Sequence, residues 1–353
     1  MSTLSLKALF SPLLVFLLTG CQSVAYYGQA VQGHFGLLAK RKPIDRLLAG
    51  REIDARLRQQ LEAVQRIREF AGQELGLPAR RQYDTYAELG RPYPVWSVMA
   101  APELSLKPKV WCYWFVGCLA YRGFFAEAKA RQLADTLQQQ GMEVYLSGIP
   151  AYSTLGWFRD PVLSSFVYQP EAELAELIFH ELTHQVLFVP GDTVFNESLA
   201  VAVADEGLHR YSVRHPQDLD RIYQARQRRD DFVALVLSFR QRLQAVFAST
   251  LPDVAKREAK AVVYADLHAA YAQQREKWGG YAGYDAWFAE VNNARLNTVG
   301  TYYDLVPGFK SLLVRHDHDL RRFFEACKGM ARLKQDERHQ LLRALAEERS
   351  TSR

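Results

Sequence analysis

Cysteine is scarce in this chain, with four in 353 residues. That excludes a small scaffold built on a framework of disulfides. No Lys/Arg block forms a nucleic-acid track, because 44 basic residues are interleaved with 39 acidic ones and the net charge is only +5. Nucleic acid is therefore not an expected partner. There is no G-x-S-x-G elbow and no P-loop, which leaves serine-hydrolase and NTPase readings without support. Internal repeats and low-complexity tracts are absent too. What is present is a composition of 48% hydrophobic and 24% charged residues. Disordered, collagenous and purely coiled-coil chains do not look like this; a core of one large or two medium domains does.

The N-terminus reads as a targeting segment. Lys7 supplies a positive charge, and the apolar run from Ala8 to Leu18 is broken only by Ser11 and Pro12. That run is too short to span a bilayer comfortably and fits a signal-peptide core. Leu18-Thr19-Gly20-Cys21 then resembles the lipobox of bacterial lipoproteins, in which the cysteine becomes the lipidated first residue. The expectation is a membrane-anchored chain beginning at Cys21, in the cell envelope. Gln22 stands where an Asp would resemble an inner-membrane retention signal, which points to the outer membrane, facing the periplasm. No later stretch is long and apolar enough to cross a membrane.

Residues 21–42 read as a tether. After Pro43, apolar positions Leu57, Leu61, Val64, Ile67 and Ala71 recur at helical spacing, and Gly76 and Pro78 end the helix. Tyr93 to Ala100 and Lys109 to Leu119 are rich in Val, Trp, Tyr and Phe and read as strands. Phe124 to Gln140 reads as a helix, and Val144 to Leu146 as a short strand. Helices dominate afterwards, with a stripe at Phe232, Leu235, Val236, Phe239, Leu243 and Val246. The predicted class is α+β, predominantly helical, with a small mixed sheet before residue 150. The expected organisation is a signal peptide over 1–20, the tether, a zincin-like core over 43–215, and a helical region over 216–353 that completes the cleft.

The chemistry lies in His180-Glu181-Leu182-Thr183-His184, inside a predicted helix from about Glu171 to Leu187. Histidines at i and i+4 share one helical face, so both imidazoles reach one metal. Glu181, beside the first of them, can reach a water on that metal. Zinc suits the set, since it accepts nitrogen and carboxylate ligands and acidifies bound water. Apolar neighbours Leu177, Ile178, Phe179, Leu182, Val186 and Leu187 place these ionisable groups at a partly buried site, which is costly without a partner charge. Glu197 is the candidate third ligand. It opens a second helix, after a loop holding Pro190, Gly191 and Asp192, that would fold back over the histidines. This is the His, His, Glu arrangement of thermolysin-like zincins, with a shorter interval before the third ligand.

These motifs, together with Trp111-Cys112, Gly117 to Gly123, Ala151 to Phe158, Asp160-Pro161, Phe195-Asn196-Glu197 and Asn292 to Leu296, make the chain resemble a bacterial family. It is the "putative aminopeptidase" family of predicted zinc-dependent lipoproteins, related to the gluzincins. The resemblance covers most of the chain after the signal segment and implies a peptidase acting on peptide substrates. In gluzincins the strand before the metal helix pairs with substrate backbone, which makes Ser153, Thr154 and Gly156 candidate substrate-binding residues. Small residues there let another backbone approach. Tyr302 and Tyr303 are both candidates for stabilising an oxyanion, as a Tyr or His does in related enzymes.

Some readings stay open in the sequence. Cys112 and Cys118 are bridged only if the chain turns between them, because one continuous strand would hold them too far apart. Asp205 and Glu206 either orient a ligand histidine or are solvated. His316-Asp317-His318-Asp319 reads as a helix cap sooner than as a second metal site. The leading function is a zinc peptidase. Its competitor is a zinc-stabilised, non-catalytic envelope scaffold, and an intact Glu181 favours the enzyme.

Overall fold

A computed structural model describes residues 26–113, 116–151, 154, 156–216 and 219–351. A first helix, α1, covers residues 26–38, the stretch assigned to the tether. It lies against the body of the protein through buried Gln29 and Leu37. The strand β1 (Lys42–Pro43) and the helix α2 (Ile44–Ala49) follow. The helix α3 (Ala55–Gln73) is capped by Asp54, whose side chain accepts from Leu57 N. It buries Leu61, Val64, Ile67 and Ala71, the spacing that predicted it. The strands β2 (Thr85–Ala87) and β8 (Val162–Leu163) complete a three-stranded sheet in the order β1-β2-β8, antiparallel then parallel.

In place of the one small mixed sheet expected before residue 150, the described residues form three small sheets. The largest is antiparallel, with β3 (Val95–Pro102) between β6 (Arg122–Phe124) and β7 (Met142–Ile149). The helix α4 (Glu127–Gln139) covers one face, burying Ala130, Ala134 and Leu137. The stretch Lys109 to Leu119, read as strand with a turn between its cysteines left open, holds a hairpin of β4 (Trp111–Tyr113) and β5 (Gly117–Leu119). Gly117 takes φ +74°, which a side chain disfavours, so the chain reverses there. Cys112 then lies opposite Cys118, and the two are bridged.

The rest is helical: α5 (Glu171–Val186), α6 (Thr193–Arg214), α7 (Leu219–Ala248), α8 (Asp253–Lys277), α9 (Asp285–Ala289), α10 (Asn293–Tyr303), α11 (Val306–Arg315), α12 (Leu320–Ala331) and α13 (Gln335–Thr351). The protein is α+β and predominantly helical, as expected. Besides the core between α4 and its sheet, two larger ones are seen among the described residues. One joins α3, α5 and α6 to the C-terminal helices through Phe179, Phe195, Phe309 and Phe323. The other fills the α7–α8 hairpin and α9–α10 with Phe232, Phe239, Leu267 and Phe288. The helices after Leu305 return to the first core. Among the described residues no helix is long and apolar enough to cross a membrane.

The tie between the C-terminus and α6 is ionic. Asp192 is the N-cap of α6, accepting from Phe195 N at 3.1 Å, and it also accepts from Arg338 Nε at 2.7 Å and His339 Nε2 at 2.9 Å on α13. Burial pushes the Asp192 carboxyl upward, but His339 and Arg338 outweigh it, and its pKa is lowered. Its stabilising effect is therefore complete above the unfolded carboxyl value of about 4 and lost as pH falls through the lower folded value. Asp192→Ala leaves Arg338, which is 6% exposed, with carbonyl acceptors on Ala331 and Leu333 but without its carboxylate. It should cost about 3–5 kcal/mol in urea unfolding, and a loss under about 1 kcal/mol would mean the network contributes little.

Candidate active site

Two antiparallel helices build the site. Around the motif, α5 buries Leu174, Ala175, Ile178, Phe179 and Leu182, which turns His180 and His184 toward α6. The connection is short and held from within. Asn196 Nδ2 donates to Val189 O at 2.9 Å, and Val189 N donates to Asn196 Oδ1 at 2.8 Å. Gly191, at φ +81°, sits against Gly117 of the bridged hairpin, where a Cβ on Gly117 would lie 2.5 Å from Gly191 N. Two glycines thus let the hairpin clamp the loop that delivers Glu197.

Glu197 Oε2 lies 3.1 Å from His180 Nε2 and 3.7 Å from His184 Nε2. One donor atom from each of the three residues falls within 4.8 Å of the others. Ligands on a tetrahedral zinc stand about 3.3 Å apart, given bonds near 2.0–2.1 Å, so the donor set fits that ion in chemistry and in spread. The electrostatics also call for positive charge here. Burial works against the Glu197 carboxylate, yet the two histidines hold it far below the ordinary carboxylate range. Burial likewise opposes a charged His184, and Glu197 raises it regardless. His184 Nδ1 is buried with no hydrogen-bond partner among the described residues.

Glu181 stands beside the triad and is not one of its three donors. Burial, reinforced by Glu197, raises its pKa against the opposing pull of both histidines. A carboxyl so tuned is closer to exchanging a proton near neutral pH. Tyr302, on α10, stacks on His180 with ring centroids 6.0 Å apart and planes 23° apart. The Glu197 charge first, then burial, pushes its phenol well above the usual range, so its hydroxyl keeps its proton and remains a donor. The chain belongs to the family described as "Putative aminopeptidase". The family model matches residues 25–342. No curated protein and no solved structure matches the chain.

The other expected residues of this aminopeptidase-family chain are placed as follows. Tyr303 does not share the environment of Tyr302: burial raises its pKa, and the charges acting on it are Arg229, Glu176 and Asp205. One residue along a helix turns a side chain by about 100°, which sends Tyr303 toward the α7–α10 core. Ser153 lies outside the described residues. Thr154 and Gly156 belong to a turn, in which Thr154 Oγ1 donates to Asp160 Oδ1 at 2.7 Å and Trp157 N donates to Thr154 O. Gly156 faces Gln185, next to His184, at φ +79°. The edge strand expected here is not formed by these two residues. Cys21 also lies outside the described residues. Asp205 pairs with Arg229 and Lys310, and Glu206 with Arg210 and His318. Neither orients a triad histidine. Asp319 caps α12, as read for the His316–Asp319 stretch.

Two contributions were not singled out from the sequence. Tyr121, just after the bridged hairpin, is raised by burial and then by Glu197 and Glu181, which puts its phenol in the field of both carboxylates. The Asn292-Asn293 pair is an anchor. Asn292 caps α10 through Arg295 N and donates to Val144 O, while Asn293 Nδ2 donates to Pro102 O and Glu103 O. These bonds fix α10 on the ends of β3 and β7 and so position Tyr302. Both residues lay in the segments that carried the family resemblance.

Proposed function

We propose that this protein is a zinc-dependent peptidase of the cell envelope, acting as an aminopeptidase on peptide substrates. The convergence of His180, His184 and Glu197, with Glu181 beside them, carries the reading. His180, His184 and Glu197 would hold the metal. Zinc, when bound, supplies Lewis acidity, which acidifies water toward neutrality and polarises a carbonyl. The chain does the rest. The Glu181 carboxylate takes a proton from the attacking water and returns it to the leaving amine nitrogen. The Tyr302 hydroxyl donates to the carbonyl oxygen as negative charge develops on it. A base beside the metal ligands favours turnover over a purely structural site. The family name supports the aminopeptidase assignment.

The envelope location rests on the Lys7, apolar-run and Cys21 pattern, with Cys21 lipidated and the chain anchored at the outer membrane facing the periplasm. The Cys112–Cys118 bridge supports an oxidising compartment. The test is cleavage of a peptide library by the purified chain, with free and blocked N-termini, before and after chelation. Loss on chelation and a preference for free N-termini are expected; cleavage indifferent to both would refute the reading.

The two tyrosines separate by role. Tyr302→Phe should lower kcat by about 10²–10³-fold, the usual cost of one oxyanion donor. Tyr303→Phe should leave kcat nearly unchanged, because the charges acting on its hydroxyl are those of Arg229, Glu176 and Asp205 and not those of the triad. Steady-state kinetics on both variants measures this, and equal losses would remove the assignment to Tyr302.

A further inference from the structure

We propose that α1 and the turn at Trp157 form a lipid-docking face that lays the protein on the surface of the bilayer holding its anchor. The inference rests on the anchored reading above. The helix α1 has two sides. Gln29, Gly33 and Leu37 lie on the inner one, where Phe125 N donates to Gln29 Oε1 and Phe125 fills the space beside Gly33. On the opposite side Tyr27, Val31 and Phe35 recur every four residues and are 46%, 55% and 55% exposed. A solvated helix face is ordinarily polar, so this side calls for an apolar covering.

A second segment, distant in sequence, extends the same surface. Phe158 packs against His34 and Phe35 with ring centroids 4.5 and 6.1 Å apart, and its neighbour Trp157 is 76% exposed. Arg41 borders the patch, donating to Arg159 O at 3.0 Å, and Lys42 and Arg159 are exposed beside it. Tyr and Trp next to basic side chains is the composition that suits the headgroup boundary of an anionic membrane. The distance is also right. Four residues separate Cys21 from Tyr26, and the five steps between them span at most about 18 Å. An acylated Cys21 would therefore hold this face within reach of the lipid. The turn carrying Trp157 also sets Gly156 against Gln185, next to His184, so one short turn joins the docked face to the site.

The test uses the full lipidated chain on vesicles of phosphatidylglycerol and phosphatidylethanolamine with brominated acyl chains, which quench tryptophans that enter the boundary. Flotation and N-terminal mass report the anchor separately. The wild type should float and show quenching that Trp157→Ser abolishes. Phe35→Asp, at an exposed position, should still float by its acyl chains while its Trp157 quenching falls severalfold. An acylated, floating protein with no Trp157-dependent quenching overturns the docking face and leaves the anchor standing. Self-association through Tyr27 and Phe35 in place of quenching assigns the surface to a second copy and also overturns it. A chain that carries no acyl group and does not float overturns both.

Discussion

Glu181→Gln is expected to keep a full equivalent of zinc and the native fold, and to lose peptide hydrolysis by about 10²–10⁴-fold, the range of general acid–base catalysis. Gln has the size of Glu but cannot accept the proton of the attacking water. The side chain is outside the donor triad, so metal content has no reason to change. Burial already favours a neutral carboxyl at this position, so a neutral amide should fit without strain. Metal analysis, circular dichroism and peptide kinetics on one preparation decide the matter. Full activity in this variant, beside an active wild type, would exclude Glu181 as the base.

The opposite pattern is expected for the ligands. His180→Ala, His184→Ala and Glu197→Gln should each weaken zinc binding by more than about 100-fold, because even partners outside the ligand shell cost 10–100-fold. Activity should fall with the lost metal and return in part at high added zinc. Glu197→Gln is the most informative of the three. It is the same chemical change as Glu181→Gln, made on a neighbouring carboxylate, so a difference in zinc content reports role alone. Competition titration against a chelator measures it. Wild-type affinity in any of the three would place the metal elsewhere.

Much of the site was legible in the sequence because its elements are local. A His-Glu-x-x-His on an apolar-striped helix fixes the face of two donors by periodicity alone. Glu197 was legible because a short loop between two helices allows few paths, and Asn196 then locks the one taken. What stayed hidden depends on long-range packing. The choice between Tyr302 and Tyr303 turns on how α10 rotates on β3 and β7, which Asn292 and Asn293 set across some 150 residues. The hairpin at Cys112 and Cys118 hid behind continuous β-propensity, and its one local signal is Gly117. The tether stretch hid a helix because both of its sides carry apolar residues, Leu37 inward and Tyr27, Val31 and Phe35 outward, which blurs the period of a half-buried helix. The C-terminal helices read correctly as helices, yet nothing local says that Arg338 and His339 return to bind Asp192, the N-cap of α6.

The central claim is that His180, His184 and Glu197 hold a catalytic zinc. Zinc added back stepwise to chelator-stripped protein, with peptide cleavage followed at each step, tests it most directly. Cleavage should be absent at the start, rise in proportion to added zinc and level off at one equivalent per chain. Cleavage that persists in the stripped protein, or that zinc does not restore while the fold is intact, would contradict it.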